Sequence, residues 1–462
     1  MRKLVVDTSE DPVTLDILQA LQLRTVNDPW LPRLKRFECK GATEMFVPFI
    51  PSFLSPKTTE INIVFAKDPP MVVVATMISR LSSLCLNLEW IVLRDLPRDP
   101  VVTEAVSEML LACNRDALQV FCVDSPLAEE AQKVVCRLPR LFHLWVVVQG
   151  PTSLPTVALP NLTVMDIEYD NDLNWLQGFR GAVLEELESV TFHTESDHIG
   201  DFIGAFESVA LTTSVQDTLS VFRFYTSRPW NPNYSSLLSF NQLKQVEIDF
   251  SCGGGCSSRI DDGTIVSLGR AMPKLEVLQL GGTPCKTPTG ITVEGLIGLA
   301  CLCPHLSELR IHFQATSLVE AATRAAVLIP SNEPVVQRKD CVLVDLEVGE
   351  TPIPARSGLT VALMLLQIFP RMLNVKYKNR EWKTVAETVR DFRRFGGFVH
   401  QSSKAHLPLV VFNDRPPVTP YQETQSITKV PVGRLWGGRA RYHLRNIDTL
   451  DSLLEKCHVD RR

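Results

Sequence analysis

No apolar run in this sequence approaches the roughly 20 residues that cross a bilayer as a helix. The longest, residues 71–78 and 361–369, have the length of buried helix faces. No secretory leader is legible: after Met1-Arg2-Lys3 the apolar stretch is only Leu4-Val5-Val6 before Asp7. There is no basic excess. Lys and Arg total 47 against 52 Asp and Glu, a net charge of -5, which argues against a nucleic-acid binder for the surface as a whole. There is no cysteine framework either. The 12 cysteines are scattered and mostly lie in apolar periodic segments, as reduced core thiols of a cytoplasmic or nuclear protein would. Nucleophile elbow, paired Cys-His signature and dinucleotide fingerprint are all missing, so no catalytic residue, cofactor or metal is assigned and an enzyme is not expected.

What is present is a repeat. The segments "LPRLKRFEC" (31–39), "LPRLFHLWV" (138–146), "LPNLTVMDI" (159–167), "MPKLEVLQL" (272–280), "CPHLSELRI" (303–311) and "FPRMLNVKY" (369–377) share an apolar-Pro-x-Leu entry and run on as Leu-x-x-apolar-x-apolar, with Met372 standing for Leu and Cys39 or Tyr377 for the last apolar. Relaxing the proline gives thirteen units, starting at 34, 58, 88, 118, 141, 162, 187, 219, 243, 275, 306, 341 and 372. Their mean spacing is roughly 28 residues, at the long end for leucine-rich repeats. Positions 4 and 6 of each unit point to one face of a strand, with position 1 turning inward where the chain bends in. Positions 3, 5 and 7 point the other way.

The returns between strands are long enough for helices. Three begin with Asp-Pro, at Asp11, Asp68 and Asp99, where Asp as N-cap and Pro at the first helical position make a strong start. Over 100–113 the helical apolar spacing reads Val101, Ala105, Met109, Ala112. The expected fold is α/β, a right-handed leucine-rich-repeat solenoid (horseshoe) with a parallel sheet on its concave face. In that frame the metal-like run Cys301, Cys303, His305 dissolves: Cys303 fills the slot of Leu31, Leu138 and Phe369, a core position, and His305 a solvated one.

The "CPHLSELRI" style of unit, with long irregular spacing, resembles the leucine-rich-repeat half of fungal F-box proteins, over roughly Leu31 to Lys378. The resemblance implies ribonuclease-inhibitor-like repeats that hold a substrate for a cullin ubiquitin ligase, with an F-box docking on the Skp adaptor. The F-box itself is not visible. The first residues read instead as another unit, with Met1, Leu4 and Val6 inward and a helix over 11–23, so Skp binding is not expected. An apolar strand at residue 1 lacks the polar cap a solenoid needs, and a natural chain that begins earlier is the expectation.

The organisation that follows is an incomplete N-terminal unit (1–30), the solenoid (31–378), a capping helix and strand (379–413) and an irregular, partly basic tail (414–462). The capping helix over 380–398 turns Trp382, Val385 and Val389 inward and stops at Gly396-Gly397. In "HTESDH" (193–198), Asp197 or Ser196 is expected to cap the next helix. Two alternatives stand beside a plain scaffold. Gly-rich loops near 252–264 and 281–290 would serve a nucleotide- or metal-dependent enzyme or regulator, and the tail, with Trp436 and Tyr442 among its arginines, an RNA contact. The leading expectation is a protein partner on the concave face. The residues expected to bind it are Trp90, Arg94, His143, Trp145, Asp166, Glu168, Arg223 and Tyr225, with Asp124, Glu247, Asp249, Arg310 and His312 on the same face. Trp90 and Trp145 form its aromatic centre, and Asp166 and Glu168 would select positive charge.

Overall fold

The computed structural model describes residues 2–8, 18–20, 29–149, 157–169, 176, 178–180, 182, 184–196, 199, 201–211, 215–228, 230, 232–250, 260–281, 289–327, 341–349 and 351–396. The chain divides into two compact units, Met1–Ser403 and Lys404–Arg462, and the second lies outside the described residues. So do the expected capping strand and tail, residues 251–259 and 282–288 of the Gly-rich loops, and most of the helix expected over 11–23.

Among the described residues, fourteen strands form one parallel sheet in sequence order. They are β1 (Lys3–Asp7), β2 (Arg36–Ala42), β3 (Glu60–Phe65), β4 (Trp90–Arg94), β5 (Val120–Pro126), β6 (His143–Val148), β7 (Val164–Tyr169), β8 (Ser189–Thr194), β9 (Val221–Thr226), β10 (Gln245–Phe250), β11 (Val277–Leu280), β12 (Glu308–Ile311), β13 (Asp345–Glu347) and β14 (Asn374–Lys376). Position 4 of each unit lies beside position 4 of the next without a break. The row runs Leu4, Phe37, Ile61, Ile91, Phe121, Leu144, Met165, Val190, Phe222, Val246, Leu278, Leu309, Leu346, Val375. Position 1 is sealed: Leu34, Leu88, Leu118, Leu141, Leu162, Leu187, Leu219, Leu243, Leu275, Leu306 and Met372 are all 0% exposed. Each such side chain contributes about 1.5–3 kcal/mol of burial. The expected core sextet, Val246, Ile248, Leu278, Leu280, Leu309 and Ile311, is buried in this one sheet.

One unit is out of register with its sequence reading. Leu309 pairs with Leu346, so the penultimate unit begins at Leu343, which has no exposed surface, and not at Cys341. Both residues are apolar and share a parity, so alternation alone does not separate them. Cys341 lies just ahead of the strand, its thiol donating to the carbonyls of Cys303 and Leu306 at 3.6 and 3.7 Å.

Helices fill many of the returns: α1 (Met71–Leu84), α2 (Pro100–Ala112), α3 (Glu129–Val135), α4 (Phe202–Ala210), α5 (Asp262–Ala271), α6 (Val293–Leu302), α7 (Ala315–Val327), α8 (Gly358–Ile368) and α9 (Lys383–Gly396). α2 starts as its sequence predicts, with Asp99 accepting from the Val101 amide at 2.9 Å and Pro100 in the first turn. Its buried face is Val102, Ala105, Val106, Ser107, Met109 and Leu110; it includes Ala105 and Met109 of the expected stripe, whereas Val101 and Ala112 are exposed. α1 does not begin at Asp68-Pro69. Pro70 follows, and a residue before proline is steered out of the helical region, so the helix waits until Met71. Asp68 instead takes φ 54°. The helix after β8 is capped by Asp201, which accepts from the Gly204 amide at 3.1 Å, and not by Ser196 or Asp197; Asp197 lies outside the described residues.

Trp382, Val385 and Val389 close the far end as expected, each 0% exposed. Cys303 is buried, its thiol donating to the carbonyls of Gly269 and Met272 at 3.8 Å, and burial pushes it up to about 12. His305 is exposed.

Candidate partner-binding face

Positions 3, 5 and 7 project from the side of the sheet opposite the main core. Position 5 is polar at Glu38 and Asn62 and again from Asp166 through Thr191, Arg223, Glu247, Gln279, Arg310 and Glu347 to Lys376. Three consecutive units between them carry Val92, Cys122 and Trp145, and these three lie side by side. With Val120 at position 3, Val92 and Cys122 form a second, smaller apolar cluster, packed against Trp90, Phe142 and Trp145.

The two tryptophans therefore belong to one patch and are half-buried. Trp90 meets Phe142 edge-on, with centroids 5.7 Å apart and planes at 71°. The Arg94 guanidinium lies over the Trp145 ring, 5.0 Å from its centroid. Arg94 Nε and Trp145 Nε1 are buried and have no hydrogen-bond partner. Phe142 precedes its strand, so strand alternation does not place it on this face. The apolar break in the position-5 row is the signal that marks its neighbours.

The acids beside the patch are compensated from within the chain, which corrects the expectation that they would select positive charge. Asp166 meets His143 Nε2 at 3.2 Å. Burial presses the His143 imidazole toward neutrality, but Cys122 and the Asp166 carboxylate beside it outweigh that and raise it to about 10. Burial works against the Asp166 carboxylate, and His143 and Thr191 prevail, holding it below its ordinary value. Glu168 pairs with Arg98, which the loop before α2 supplies. Cys122, His143 and Asp166 stand on three successive strands, an order that would suit a thiol nucleophile. Cys122 has no exposed surface, so no substrate atom reaches its sulfur.

Asp124 is also engaged from within the chain. The β5–β6 register breaks between Cys122 and Pro126. The Asp124 carboxylate accepts from the Leu96 amide at 3.1 Å and from the Asp95 amide, in a turn where Asp95 takes φ 58°. Burial pushes Asp124 from 3.8 up to about 7 in spite of those bonds. An acid raised in the folded state is deprotonated first in the unfolded chain, so its contribution to stability falls as pH rises from about 3.8 to about 7 and is level above that. Across this window the wild type should lose stability relative to Asp124→Asn, which keeps an oxygen acceptor and cannot ionise. Urea midpoints measured as a pH series check this, and parallel profiles for the two proteins would refute it.

Further along, the face is a ladder of paired charges. Tyr225 Oη donates to Glu247 Oε2 at 2.5 Å, and Arg223 Nε reaches Glu247 Oε1 at 3.2 Å. His193 stacks on Tyr225 with centroids 5.0 Å apart. Burial lowers the His193 pKa and, with Glu247, raises that of Tyr225. Arg310 bridges Asp249 and Glu347, each at 3.4 Å. His312 is buried between Gly281 and Gly349, which follow the neighbouring strands β11 and β13. A Cβ at Gly349, where φ is 56°, would stand 2.6 Å from its ring. The eight expected residues thus share one face, but Arg223 and Tyr225 belong to this ladder and not to the aromatic patch.

Among the described residues no group of three or more His, Cys, Asp or Glu side chains is placed to hold a metal ion, and no helix is long and apolar enough to cross a membrane. No family model matches the sequence, and no curated protein does. Among solved structures the chain is similar to one in the crystal structure of the Rad7 and Elc1 complex in yeast. Identity is 14%, the match covers 63% of this chain and 80% of that one, and the TM-score is 0.36. A likeness that slight bears on no function.

Proposed function

We propose that this chain is a non-enzymatic protein-interaction scaffold whose partner seats on positions 3, 5 and 7, centred on Trp90, Arg94 and Trp145. The observation that carries this reading is the second apolar cluster, lying on the side of the sheet opposite a core that is already complete. Half-buried Trp and Arg side chains on such a floor are the residue types most enriched at binding hot spots. The finer reading is a right-handed leucine-rich-repeat solenoid with this face concave, since parallel strands joined by long returns take that hand. Within the fungal F-box family that the units resemble, the scaffold would be a ligase substrate receptor in cytoplasm or nucleus. This chain by itself would not bind the Skp adaptor.

The test is a paired capture. Trp90→Asp places a charge on the patch. Val72→Asp places one on α1, where Val72 is 67% exposed. Tagged proteins incubated in an extract of the source organism should retain the same specific partner for the wild type and Val72→Asp and lose it for Trp90→Asp, with melting temperatures recorded for all three. Retention of that partner by a folded Trp90→Asp protein would reject the face.

A further inference from the structure

We infer that the partner presents a carboxylate, carried by an acidic side chain beside an apolar one, to Arg94 and the indole N–H of Trp145. This rests on the interaction reading above and specifies the chemistry of the contact. Buried donors in folded proteins almost always have an acceptor. Arg94 Nε and Trp145 Nε1 have none, and they belong to side chains that touch. Two unmet donors in one place point to an acceptor brought from outside.

The local charges favour the same ligand. Asp166 is held by His143 and Glu168 by Arg98. Asp124 accepts from the amides of Asp95 and Leu96. Arg94 makes no ion pair among the described residues, so the uncompensated charge at the patch is positive. A basic ligand would meet an unpaired guanidinium and acids already engaged. Trp90 and Phe142, both partly exposed, supply the adjoining apolar surface. Arg94 is held on the ring by stacking alone, a weak restraint at a half-exposed site. It can lift to meet a carboxylate with two parallel N–H donors, uncovering the indole N–H as it does so.

Fluorescently labelled nonapeptide pools, blocked at both ends, test this. Each fixes a central Phe followed by Glu, Gln or Lys, with Ala, Ser and Gly elsewhere. By fluorescence polarisation the wild type should bind the Glu pool about tenfold or more tighter than the Gln pool, and the Lys pool most weakly. Arg94→Gln should remove the Glu preference while leaving Gln-pool binding in place. Trp145→Phe, which keeps a ring and deletes the N–H, should reduce the preference. Equal binding of the Glu and Lys pools, a preference that survives in Arg94→Gln, or no binding by any pool overturns the carboxylate assignment. The Trp90→Asp capture reads partner retention whatever the partner's charge, so the interaction reading stands or falls separately.

Discussion

Phe202→Ala should lower the free energy of unfolding by about 3–5 kcal/mol. Phe202 has no exposed surface. Its ring centre lies 4.7 Å from that of Phe192, 4.9 Å from Phe224 and 5.5 Å from Tyr169. The ring therefore ties β7, β8 and β9 to α4, and its removal leaves a cavity walled by rigid rings that cannot collapse into it. Stability in a repeat protein is a sum of unit and nearest-neighbour terms, so one such loss weakens the interfaces on both sides. Denaturant titrations followed by far-UV circular dichroism give the change. A shift worth less than about 1 kcal/mol would mean that the site repacks or that these rings do not meet.

Trp382→Ala should be as costly, about 3–5 kcal/mol, but confined to one end. The side chain is 0% exposed, its indole N–H donates to the Thr351 carbonyl at 2.7 Å, and its ring meets Phe313 edge-on at 5.8 Å. Truncation removes the ring and leaves the carbonyl without that donor. In an array held by neighbour contacts, the terminal unit then opens first. Amide hydrogen exchange should quicken across α8, β14 and α9 and stay unchanged from β2 to β8. Trp382→Phe, which restores most of the apolar contact, should recover part of the loss. Uniform acceleration along the whole sheet would contradict a neighbour-coupled array.

The strands were legible because a sealed position 1 and an alternating pair at 4 and 6 leave a periodic trace that no other element imitates. The trace fails where parity is degenerate, as at Cys341 and Leu343. It says little about helix starts, because Pro70 overrides the cap signal of Asp68 through backbone sterics that a motif does not encode. At the candidate site, position parity brought Trp90, Arg94, His143 and Trp145 to one face. It gave no hint of Phe142, which lies ahead of its strand, or of the compensation of Glu168. Its partner Arg98 is 70 residues away in a loop. The sign proposed for the site rests on such distant pairs, which position parity does not encode.

A partner seated on the strand face and not on the helices should protect the strands alone. For the complex retained in the Trp90→Asp and Val72→Asp comparison, hydrogen–deuterium exchange with and without the partner tests it most directly. Exchange should slow in peptides spanning β4, β5 and β6, centred on Trp90, Cys122 and Trp145, with α1 and α2 unchanged. Protection confined to α1 and α2, with those strands unaffected, would contradict it.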